Sequence, residues 1–140
     1  MSLRNDFAEN IVDVLTNMQD PKPGLVTREP FDVEKLAITQ FPAILVNSGG
    51  ELRLDYAVNK RQSVITYTIR AFLRGNELDR KRNDMIERIE ETLAVDRYRG
   101  STKRDVNTQI TNIEVIDRLP PLAEVALTVE VKYLYNKGTL

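Results

Sequence analysis

Carboxylates gathered between residues 77 and 91, and the basic groups that bracket them, are the side chains here whose spacing bears on chemistry. Glu87 and Glu91 stand four apart, which puts two carboxylates on one helical face within reach of a shared cation. Asp79, Asp84 and Glu90 lie near them. Arg82 and Arg88 interleave with these acids, and mixed sign is what a solvated helix face shows. A Mg²⁺ or Ca²⁺ site needs more converging oxygens than such a face supplies, so no metal site is expected. Histidine and cysteine are both absent. Their absence removes the usual general base, thiol nucleophiles, thiolate zinc sites, disulfides and every Ser-His-Asp or Cys-His arrangement. Thr66 and Thr68 have no base near them in sequence, and the tyrosines are spread among strands and loops. Ser48-Gly49-Gly50 lacks the lysine and hydroxyl of a P-loop and the third glycine of a dinucleotide fingerprint, so it reads as a turn. No catalytic set and no cofactor are expected.

The basic groups carry the stronger signal. Arg80-Lys81-Arg82 opens a predicted helix, and Arg97, Arg99, Lys103 and Arg104 follow its end. Between Arg70 and Arg104, ten basic and seven acidic residues leave three positive charges in excess. Three readings stand: a solvated face laced with weak ion pairs, contact with an acidic protein surface, or contact with nucleic acid. Arg80 and Lys81 oppose the macrodipole at the helix start, a small cost that points to a use other than helix stability. The whole chain carries a net charge of −1, which argues against a protein built chiefly to coat DNA.

The elements that must position these groups centre on residues 63–96. Ile65, Tyr67, Ile69, Ala71 and Leu73 alternate with Thr66, Thr68, Arg70 and Arg74, the period-two mark of a strand with one buried face. Gly75 ends that strand, and Asn76 with Asp79 reads as an N-cap pair. Leu78, Met85, Ile86, Ile89 and Leu93 then form the one apolar stripe of an amphipathic helix, which is expected to fold back over its own strand.

Upstream, Leu3, Phe7, Ile11, Val14, Leu15 and Met18 predict an amphipathic helix of about four turns, with Ser2 as N-cap and Pro21, Pro23 and Gly24 as its stop. Leu25-Val26-Thr27 is readable as a short strand, and Asp32 as the cap of a single helical turn. Residues 41–47 are almost continuously apolar, as in a strand covered on both sides, with Pro42 restricted to its start or to an edge. Residues 51–62 alternate weakly through Leu52, Leu54, Tyr56 and Val58 and read as an extended hairpin arm. Residues 110–117 form a strand with Ile113 and Val115 inward, and residues 124–135 alternate cleanly; the short Pro120-Pro121 connector implies that these two pair antiparallel. Residues 136–140 read as a frayed tail. The expected architecture is one α+β domain spanning 1–140: a mainly antiparallel four-stranded sheet, two principal helices on one face, and the arm. Its outer face would carry Thr66, Thr68, Arg70, Thr128, Glu130 and Lys132, a surface suited to a wet subunit contact. No apolar run reaches the ~20 residues that span a bilayer, and the expectation is a soluble, intracellular domain.

In the order of its elements the chain resembles the tail terminator (tail completion) proteins of long-tailed bacteriophages, of the minor tail protein U type. The likeness rests on the N-terminal helix, the Phe41-Pro42-Ala43-Ile44-Leu45-Val46 strand with Gly49-Gly50-Glu51 after it, and the Val64-Ile65-Thr66-Tyr67-Thr68-Ile69 strand. It continues through the helix ending Ile89-Glu90-Glu91-Thr92-Leu93, with Asp96 beyond, then Pro120-Pro121-Leu122-Ala123 and Val129-Glu130-Val131-Lys132-Tyr133. Related neck and head–tail connector proteins share similar patterns. The resemblance implies a virion protein, assembled in the host cytoplasm, that forms a ring, commonly hexameric. Such a ring sits on the head-proximal end of the tail tube, stops its polymerisation and meets the head connector, while DNA passes through the lumen without sequence-specific binding. The expected contact residues are Arg53 and Arg61 of the arm, Arg80 and Lys81 of the helix start, and Arg97, Arg99, Lys103 and Arg104 of the basic loop. A small nucleic-acid-binding module using that loop is the alternative.

Overall fold

The computed structural model of the chain describes residues 3–101 and 105–136, so Ser2, Lys103, Arg104 and residues 137–140 lie outside it. Helix α1 (Leu3–Thr16) buries Phe7, Ala8, Ile11 and Leu15 along one stripe. Strand β1 (Leu25–Thr27) follows the proline-rich stop. Gly24 is required at that junction, because a Cβ there would sit 2.4 Å from the Thr39 carbonyl oxygen. Two single 3-10 turns come next, the first capped by Asp32, whose side chain accepts from the Glu34 N–H. Strands β2 (Ala43–Ala57) and β3 (Lys60–Arg74) form a hairpin; helix α2 (Leu78–Ala94), β4 (Asn107–Ile116) and β5 (Leu122–Asn136) complete the chain.

The class is α+β, but the sheet has five strands, not four, in the order β1-β2-β3-β5-β4. The added strand is β1, which pairs parallel with β2 while every other neighbouring pair is antiparallel. A three-residue segment carries too little periodicity to announce itself, and its pairing to β2 supplies what sequence spacing does not. Both helices pack on one face of the sheet. Beneath them Ile65, Tyr67, Ile69 and Ala71 of β3 and Val125, Leu127, Val129 and Val131 of β5 are fully buried, in the alternation expected of both strands. Met85, Ile89 and Leu93 close the core from α2.

Other expectations need correction. Asn76 does not cap α2: Glu77 occupies the cap position in a left-handed conformation (φ 52°), and its side chain makes no cap hydrogen bond. The long strand starts at Lys60, three residues before Ser63, because the hairpin turn is only Val58-Asn59. Asn136 belongs to β5, paired with Lys60. Ile113 and Val115 do stand beside Leu127 and Val125 on the helix side, yet they are 41% and 51% exposed. β4 is an edge strand there, and α2 does not reach out to cover it.

Candidate functional site

Ser48-Gly49-Gly50 is not a turn. β2 runs straight through it with a bulge between Ser48 and Glu51. Ser48 pairs with Tyr67 and Glu51 with Ile65, so β2 spends three steps where β3 spends two. Gly49 is needed at the bulge, since a Cβ would lie 2.9 Å from the Thr66 carbonyl oxygen. The extra residue inverts the parity of residues 51–55, up to a second register shift between Asp55 and Ala57. Before the bulge Ile44 and Val46 face the helices and are fully buried. After it Glu51, Arg53 and Asp55 take that face, and Leu52 and Leu54 turn outward, 58% and 47% exposed; Tyr56, 62% exposed, lies in that second shift. Val64 stands opposite Leu52, and the Leu54–Gln62–Leu134 row lies one step further on. The result is a three-stranded extension of β2, β3 and β5 with an apolar outer stripe and an exposed Val58 at its tip.

The inner side of the extension is held by Glu51. Its carboxylate accepts from Ser63 Oγ (2.5 Å), Arg53 Nε (2.8 Å) and Arg4 Nη1 (3.2 Å), so the start of α1 is tied to the bulge. Desolvation pushes the Glu51 carboxyl up, but the hydrogen bonds from Ser63, Arg53 and Arg4 together outweigh it and leave its pKa below the usual carboxylate range. Tyr67 donates its hydroxyl to the Arg4 carbonyl (2.8 Å), and burial raises its pKa well above the ordinary phenol value.

The far end of the same outer face is closed. Residues 31–36 pack over it through Phe31, Val33 and Leu36, and Val33, Ala43, Leu45 and Phe72 form a second small core. Glu124, fully buried, accepts from Arg70 Nε and Arg118 Nε at 2.7 Å each. Both guanidinium carbons lie 5.2 Å from the Phe72 ring centroid, so the acid's charge is matched and the ring is clamped.

Between α2 and the segment that enters β2 lies a groove of about 710 Å³. Its floor is Phe41 and Leu73; its α2 wall presents Lys81, Asp84 and Glu87. Ile38 is 72% exposed at the groove's lip.

The predicted basic residues do not converge. Arg53 and Arg61 face inward on the extension, paired with Glu51 and Asp55 at 2.8 and 3.3 Å. Arg80 and Lys81 lie past the other end of β3, a strand of 15 residues that spans roughly 50 Å. Arg97 is exposed and stacks on Tyr98, 5.3 Å from the ring centroid. Arg99 is only 3% exposed and is therefore no surface contact. Its guanidinium donates to the carbonyls of Leu93 (2.6 Å) and Asp96, capping the C-terminus of α2, and burial lowers its pKa. Together with buried Val106, it anchors a loop that reads as anchorless in sequence. Lys103 and Arg104 lie outside the described residues.

Among the described residues no three His, Cys, Asp or Glu side chains gather where a metal ion would fit, and no helix is long and apolar enough to cross a membrane. Compared with known proteins, the chain matches no family model and no curated protein.

Proposed function

We propose that this chain is a structural assembly protein that builds a ring from copies of itself. On the resemblance to tail terminators, that ring caps the head-proximal end of a phage tail tube in the virion, stops its growth and joins it to the head connector, with DNA passing through the lumen. The observation that carries the reading is the bulge at Gly49-Gly50. It turns Leu52 and Leu54 away from the helices and holds them in solvent. Covering the exposed part of each on a neighbour yields about 1 kcal/mol per side chain, enough in sum to favour association. A ring also needs a second, unlike surface on each subunit. Two are present: the open β4 edge with exposed Ile113 and Val115, and the groove beside α2.

Sedimentation velocity and negative-stain electron microscopy of the purified chain test this. Annular particles are expected, alone or on addition of tail tube protein. A monomer at every concentration, with and without tube protein, would contradict the proposal.

A further inference from the structure

We infer that the tip of the extension, Tyr56 and Val58 with Lys60 beside them, docks into the α2 groove of an adjacent copy. The inference rests on the ring reading and names its contact. Val58 is 85% and Tyr56 62% exposed, the first at a two-residue turn where no neighbouring strand shelters it. The groove offers an apolar floor, Phe41 and Leu73, with Ile38 at its lip, and a volume of about 710 Å³. That volume is in the range that houses a drug-sized ligand, so it fits two side chains of a hairpin tip rather than a whole strand pair.

Charge agrees with shape. Exposed Lys60 flanks the tip, and exposed Asp84 and Glu87 stand one helical turn apart on the groove wall. The lining also carries Lys81, Asp20, Arg74 and Arg88, of which Arg88 is paired with Glu91 at 3.0 Å. The tip cannot reach the groove of its own chain, because the two lie past opposite ends of β3, roughly 50 Å apart by its length of 15 residues. Occupancy is therefore between copies, and each copy offers a tip at one end and a groove at the other. Such a head-to-tail contact closes into a ring when its rotation closes.

Cysteine crosslinking tests the contact on a clean background, since the chain has no cysteine. Val58→Cys and Ile38→Cys alter exposed positions, and a disulfide forms only when the two Cα atoms come within about 7 Å. The double variant should give a ladder of covalent oligomers under mild oxidation. Each single variant alone should stay uncrosslinked, and a mixture of the two should give heterodimers only. Rings seen by sedimentation without any ladder would overturn the tip-in-groove contact and leave the ring reading standing. Crosslinks between two Val58→Cys copies would overturn it in favour of a symmetric contact. Absence of both rings and crosslinks would overturn both.

Discussion

The outer face of this sheet ends in two different ways. At the Arg74 end residues 31–36 lie across it, Phe72 is 3% exposed, and Glu124 is neutralised by two arginines. At the Lys60 end the same face carries leucines of similar apolarity, and none of the described residues covers them. A sheet gains by covering both ends, and on the proposed ring it is a neighbouring copy that covers the Lys60 end. The distinction is one of place rather than residue type.

Substitutions should separate the two ends by what they damage. Phe72→Ala empties the closed end and should cost about 4 kcal/mol of stability, read as a fall in the urea midpoint. A loss below about 1 kcal/mol would mean that residues 31–36 do not close that end. Glu124→Ala leaves two arginine heads facing each other across the Phe72 ring. With those heads partly solvated it should cost about 3 kcal/mol, and Glu124→Gln should cost less. Glu51→Gln acts at the open end through pH. Glu51 has a depressed pKa, so the stability it contributes is full above about pH 4.3, the ordinary glutamate value, and is lost as pH falls through the lower folded value. Urea midpoints of wild type and Glu51→Gln should therefore differ at neutral pH and converge in acid. A gap that persisted below the folded value would show that Ser63, Arg53 and Arg4 do not act through the ionised carboxylate.

Much of the closed half was legible in the sequence. β3 and β5 declare their buried faces by strict alternation, and α1 and α2 by their single apolar stripes. The open half was not, because its decisive feature is a register. A Gly-Gly pair marks a turn or a bulge equally well, and only the approach of the Thr66 carbonyl to Gly49 decides between them. Until that is known, Leu52 and Leu54 cannot be assigned a side of the sheet. Long-range pairing hid the rest. Glu124 belongs to an outward face by parity and becomes buried through Arg70, 54 positions away. Arg99 counts as a surface charge until the end of α2 bends back to use it as a cap. The groove joins the loop after α1, the entry to β2 and the start of α2, and no local pattern foretells it.

Leu54→Asp, set beside wild type in a sedimentation series over concentration, probes the open end most directly. The exposed position should leave the urea midpoint within about 0.5 kcal/mol of wild type. Wild type, alone or with tail tube protein added, should sediment as a closed oligomer, and Leu54→Asp as a monomer under the same conditions. Equal masses for the two, whether both assembled or both single, would show that the outward stripe does not drive assembly.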